Sequence, residues 1–197
     1  MRLTRALAAE YTRLFNECRI LPRHLPALRR AADVIAARRA RYESVTEAVP
    51  WQVTGILHHL ETGLRFDRHL HNGDPLTART VRVPAGRPPQ GNPPFAWEES
   101  TRDALQFRGL CHLPEWTLPV LLHALEGYNG WGYRRYHPET PSPYLWGFTN
   151  HYQQGKYTTD GRWSPAAVSK QPGAAALLLA LAEVSPSPFA MPVTPRL

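Results

Sequence analysis

The chain has 197 residues, 43% of them hydrophobic, enough for one domain with a real core, and Lys+Arg 23 against Asp+Glu 16 give a formal net charge of +7. That balance favours polyanions, either nucleic acid or the anionic bacterial envelope, although Lys156 and Lys170 are the only lysines and genomic base composition explains part of the arginine excess. Two cysteines, Cys18 and Cys111, are too few for a disulfide framework, and the longest apolar run, Gly173 to Ala182, is about half of what spans a bilayer.

Helical text opens the chain at Leu3 to Cys18 and continues at Leu25 to Ser44, with Pro22 and Pro26 between. In the second segment Leu28, Ala31, Ala32, Ile35 and Ala36 share one face and arginines occupy the others, the pattern of an amphipathic bracing helix. A short amphipathic helix follows. Pro50 suits its start, Trp51, Ile56, Leu57 and Leu60 recur at roughly helical spacing, and Gly63 suits its stop. Asn72-Gly73-Asp74-Pro75 is a turn, Thr80 to Val83 alternates with period two as a small strand or hairpin does, and Pro84 to Pro94 is a loop. Helices are expected again over Trp97 to Phe107, after Thr117 with Pro119 tolerated in the first turn, and over Gly173 to Ala182. An aromatic segment, Gly127 to Trp163, lies between the last two. Residues 1–184 are expected to form a single catalytic domain, followed by a proline-rich tail over 185–197.

Glu61 is the candidate catalytic acid. It lies at the end of its helix, ahead of a polar, turn-rich segment. A carboxyl held between an apolar helix face and a cleft has its charged form disfavoured, so it can carry a proton near neutral pH. Candidate second carboxylates are Asp67, Asp74, Glu98, Glu99 and Asp160. Asp74 is the best placed, in the turn after the acid helix, whereas Glu98 and Glu99 open a helix and are explained by its dipole. His58, His59, His69 and His71 surround Glu61 in sequence and imidazole suits zinc. No His-Glu-x-x-His or nearby cysteine pair accompanies them, so no metal and no cofactor is expected. His59 and His71 are instead candidates for orienting Glu61 by hydrogen bonding. Nucleophilic hydrolase chemistry has no Gly-x-Ser-x-Gly elbow to support it.

The aromatic segment mixes Tyr128, Tyr144, Tyr152 and Tyr157 with Asn129, Asn150, Gln153 and Gln154. Sugars bind such mixtures, because their C–H faces pack on rings while hydroxyl and acetamido groups need polar partners. Tyr144, Tyr152 and Tyr157 are candidate substrate-binding residues of this mixture, and Tyr128 and Asn129 join them through the resemblance described next. The basic residues do not interleave with them as in a nucleic-acid-binding motif, so nucleic acid is the disfavoured partner.

The strings HHLETG and YNGWGYRRY resemble the Glu-Ser/Thr-Gly and Tyr-Asn-Gly motifs of the lysozyme-like superfamily, especially goose-type lysozymes and soluble lytic transglycosylases. HLHNGDPLTARTVRVPAGRPP, FAWEES and SPYLWGFTNHYQQGKYTTDGRW, in that order, look like a phage-endolysin-like group of the superfamily, and the resemblance covers most of Tyr42 to Leu181. It implies a mostly α-helical (α+β) lysozyme-like domain with a small β-hairpin element beside the active-site cleft. It implies cleavage of the β-1,4 bond between N-acetylmuramic acid and N-acetylglucosamine in peptidoglycan, with Glu61 as the acid and Tyr128 and Asn129 beside the scissile bond. It also implies one-acid chemistry, in which the substrate's acetamido group replaces a second carboxylate. A catalytically silent glycan-binding or structural protein of the same fold, such as a phage-tail or contractile-particle component, is the alternative. The opening MRLTRALAAEYTRLF is interrupted by Arg5, Glu10 and Arg13 and so lacks the apolar core of a secretory leader. The expectation is a protein cytoplasmic as synthesised, without membrane insertion, that reaches the wall through a holin, another route or lysis.

Overall fold

In the computed structural model, which describes residues 1–159 and 161–186, Thr4 caps the first helix, α1 (Arg5–Asn16), its Oγ1 accepting from the Leu7 amide at 3.2 Å. The text expected as one helix over Leu25 to Ser44 is two, α2 (Leu25–Ala37) and α3 (Arg39–Glu43). The break falls at Arg38, whose φ of −101° and ψ of 8° leave the helical region. The remaining helices are α4 (Trp51–Thr62), α5 (Trp97–Phe107), α6 (Leu118–Asn129), α7 (Gly132–Tyr136), α8 (Pro143–Trp146) and α9 (Ala174–Val184). Short α7 and α8 lie in the aromatic segment, where no helical periodicity marks them. Strands β1 (Lys156–Thr159) and β2 (Arg162–Ser164) form the one sheet among the described residues, an antiparallel hairpin pairing Tyr157 with Trp163. The architecture is thus mostly α with a small β-element. Asp160, one of the candidate carboxylates, and most of the proline-rich tail lie outside the described residues.

The chain divides into two compact units, one of Met1–Asp33 with Trp116–Leu197 and one of Val34–Glu115. In the first, α1 packs on α6, and α6 and α8 on α9. Its core is built from Tyr11 and Phe15 of α1, Leu121, Leu122 and Leu125 of α6, and the Ala/Leu face of α9. Glu126 is buried in that core. It accepts from Tyr11 Oη at 2.5 Å and from Arg134 Nε at 2.7 Å, and Arg134 Nη1 also donates to Glu10 at 3.0 Å. Tyr11 and Arg134 thus satisfy the Glu126 carboxylate, as a buried charge requires.

In the second unit α4 is central. Residues Trp51 to His58 are buried without a break, so α4 is enclosed on all sides and is not the one-faced amphipathic helix its spacing suggests. Tyr42 of α3, Trp97 of α5 and Phe66 pack around His58, whose ring centroid lies 4.4 Å from that of Phe66 and 4.7 Å from that of Trp97. The strand or hairpin expected at Thr80 to Val83 is absent. Val81 and Val83 both face solvent, at 79% and 90% exposure, and the Val81 and Arg82 amides are bound to a carboxylate instead of a neighbouring strand. Alternation alone does not make a strand when no neighbouring strand takes its amides. The hairpin lies in the other unit.

Candidate functional site

Glu61 is the penultimate residue of α4 and is half-buried. The helix ends immediately after it. Gly63 takes the left-handed conformation at φ 62° and donates to the His59 carbonyl at 3.0 Å, and Leu64, also left-handed at φ 66°, donates to the His58 carbonyl at 3.2 Å. A left-handed leucine costs energy, so surrounding contacts must hold it. The resulting reversal sends the chain into the 63–96 loop, an extended run without helix or strand between α4 and α5.

The loop is ordered by its own polar groups. The His69 amide donates to Asp74 O at 2.7 Å and the Gly73 amide to His69 O at 2.8 Å, closing a tight turn in which Asn72 Oδ1 accepts from the Asp74 amide at 3.0 Å. That turn packs against the end of α4: a Cβ placed on Gly73 would lie 3.4 Å from the backbone carbonyl oxygen of Glu61. Asp74 then fastens the next stretch. Its carboxylate accepts from the amides of Val81 at 2.9 Å and Arg82 at 3.1 Å and from Arg82 Nε at 2.6 Å. Burial alone would raise its pKa, but those two amides and the guanidinium outweigh it and hold the carboxyl at about 2. A group ionised to so low a pH neither donates nor takes a proton near neutrality, so the turn explains Asp74 and proton transfer does not.

Two histidines of the loop dock on α5. His69 and His71 flank Leu70 at the start of that turn, and Ser100 and Asp103, three apart on α5, share a helix face. His69 Nε2 donates to the Ala78 carbonyl, which can only accept, at 2.8 Å, and its Nδ1 lies 2.6 Å from the Ser100 hydroxyl. His71 Nε2 lies 2.8 Å from Asp103 Oδ2, and Asp103 also accepts from Arg87 Nε at 3.0 Å and from Arg87 Nη2. Burial lowers the His71 pKa to about 4 even against the pull of Asp103, leaving a neutral ring with Nε2–H toward the carboxylate. Its Nδ1 is buried and has no hydrogen-bond partner among the described residues.

His59 stands differently. It is two residues before Glu61, roughly 200° around the helix, so the two side chains do not share a face. Burial lowers its pKa. The other candidate carboxylates of this unit are committed or open: Glu98 is paired with Arg41, Asp67 with Arg65 at 2.7 Å, and Glu99 is exposed.

The candidate sugar-binding residues lie in the other unit. Tyr128 and Asn129 are the last two residues of α6, Tyr128 buried and Asn129 exposed. Tyr144, on α8, is half-buried. Tyr152 is buried with its hydroxyl used twice, donating to Gly155 O at 3.2 Å and accepting from the Ser169 amide at 3.1 Å. It lines an open groove of about 450 Å³ with Leu21, His24, Phe148 and Val168. Tyr157 packs edge-to-face on Tyr133 and Trp163 in the hairpin. Among the described residues no three His, Cys, Asp or Glu side chains are grouped to hold a metal ion, and no helix is long and apolar enough to cross a membrane.

Sequence reasoning passes over Ser100, Asp103 and Arg87, whose only signal is a His-x-His ahead of a turn and a Ser-x-x-Asp on a later helix. It also passes over Glu126, where a carboxylate in apolar helix text marks a buried ion pair. No family model, curated protein or solved structure matches the chain.

Proposed function

We propose that the protein cleaves the β-1,4 bond between N-acetylmuramic acid and N-acetylglucosamine in peptidoglycan, with Glu61 as the general acid. The observation that carries this reading is the seat of Glu61: half-buried, on the last turn of an enclosed helix, with the braced Asn72-Gly73-Asp74 turn against its own carbonyl. A general acid needs a fixed backbone to stay aimed, and this position offers it. The likeness of HHLETG and YNGWGYRRY to lysozyme-like motifs supplies the substrate class. Glu61 protonates the leaving glycosidic oxygen, and the acetamido carbonyl of the sugar bears the developing charge at C1 in place of a second carboxylate. The engagement of Asp74 inside its loop favours this one-acid route. The test is incubation of pure protein with peptidoglycan and mass spectrometry of the products: reducing muropeptides mark hydrolysis and 1,6-anhydro ends mark transglycosylation. Intact glycan that nevertheless retains the protein would replace the enzyme with a binding protein.

A further inference from the structure

We propose that Asp103 is a positioning residue for Glu61, acting through His71 and Arg87 to hold the 69–87 part of the loop against the end of α4. The inference rests on the glycosidase reading for its effect on turnover, but not for its effect on the loop.

A loop this long without secondary structure would ordinarily fluctuate, and an acid beside it would lose its aim. Here α5 supplies two anchors one turn apart. Ser100 takes His69 and Asp103 takes His71, fixing both sides of the residue between them, Leu70, which is fully buried. Asp103 ties two distant points of the loop to α5, because its second oxygen receives the Arg87 guanidinium. Arg87 in turn closes the 80–87 segment: its amide donates to Thr80 Oγ1 at 2.9 Å, its carbonyl accepts from the Thr80 amide at 2.9 Å, and its guanidinium lies over the Phe107 ring of α5 at 4.7 Å. The Asp74 clasp joins this segment to the Gly73 turn, which abuts Glu61. One carboxylate therefore sits where the two ends of the brace meet. It also sets the His71 tautomer, since an ionised acceptor at Nε2 keeps the proton there and leaves Nδ1 as a lone pair.

Asp103→Asn is the discriminating variant, because the amide keeps the size of the carboxylate but loses its charge and one acceptor, and its NH₂ group can donate to Nε2. In the wild type, ¹⁵N NMR of His71 should report Nε2–H, and Asp103→Asn should move the proton to Nδ1. Hydrogen exchange at the amides of 80–87 should accelerate in the variant while those of α4 keep their protection. Turnover of peptidoglycan should fall on the order of 10- to 100-fold in kcat, with KM within about twofold, as expected when a reacting group loses alignment and not affinity. Asp103→Glu should recover part of the loss. A wild-type Nδ1–H tautomer, or unchanged exchange in the variant, overturns the brace whatever the enzyme does. Altered tautomer and exchange with full turnover overturn the positioning role alone. Should Glu61→Gln leave wall cleavage intact, the glycosidase reading fails, and the tautomer and exchange measurements still decide the brace.

Discussion

Asp74 and Arg82 are joined twice, through the Arg82 amide at 3.1 Å and its Nε at 2.6 Å, so one carboxylate binds both the backbone and the side chain of a residue eight positions later. Arg82 is 64% exposed on its side chain and Asp74 6%, so solvent screens the guanidinium contact and the amides of Val81 and Arg82 carry most of the stabilisation. Asp74→Ala should destabilise the protein by about 1.5–3 kcal/mol, the range for hydrogen bonds to a charged acceptor. Because the folded pKa, about 2, is below the ordinary carboxylate value, the contribution is fully present above the unfolded pKa and is lost as pH falls toward 2. The gap in melting temperature between wild type and Asp74→Ala should therefore be constant from neutral pH to about pH 5 and shrink below about pH 4.

Glu61→Gln should fold as the wild type does, since the amide is nearly isosteric, and should lose wall-degrading activity by on the order of 10²-fold or more. Turbidity clearing of peptidoglycan suspensions measures this, with thermal melting as the control. Near-wild-type clearing by a folded variant would remove Glu61 from the acid role.

Asn129 is exposed at the end of α6, so Asn129→Ala should leave the melting temperature within a few degrees of wild type. If the Tyr-Asn motif serves the reaction, turnover should fall more than glycan affinity, because an amide contacting the reacting sugar acts as the transition state develops. Initial rates beside calorimetric binding of a muropeptide oligomer separate the two. Unchanged turnover would make the motif scaffold only.

The buried Glu126 is satisfied by Tyr11 and Arg134, and removing either donor leaves a carboxylate under-satisfied inside the core. Tyr11→Phe should cost about 1–3 kcal/mol. Arg134→Met should cost more, about 3–5 kcal/mol, because the lost partner carried the compensating charge. The double variant should depart from the sum of the singles by at least about 0.5 kcal/mol, the signature of groups sharing one partner. Urea unfolding of the four proteins measures the cycle.

Gly55 sits inside α4, where alanine would ordinarily gain roughly 0.8–1 kcal/mol of helix propensity. A Cβ there would lie 2.5 Å from Ile35 Cγ2 and 3.1 Å from Tyr42 Cε2, both on fully buried residues that have no room to move. The clash should win, and Gly55→Ala should be net destabilising by about 1–3 kcal/mol in denaturant titration.

Local patterns were legible where a helix buries one stripe or meets a clear stop. The helical text of Leu3 to Cys18, the Pro119 start of α6, Gly63 after Glu61 and the apolar run of α9 mark four helices within a residue or two of the ends they indicate. The Asn-Gly-Asp turn was equally readable, because its chemistry lies within four residues. What sequence could not decide is whom a polar side chain meets. Thr80 to Val83 alternates like a strand, yet Asp74 takes the Val81 and Arg82 amides and no neighbouring strand does. His71 looked like a partner for Glu61 and is bound to Asp103 instead, while the hairpin arose at Lys156 to Ser164. Periodicity encodes burial within one element, since it depends only on how side chains rotate about that element's axis. The pairing of His71 with a carboxylate 32 residues away depends on how the loop folds back on α5, and only the tertiary structure fixes that.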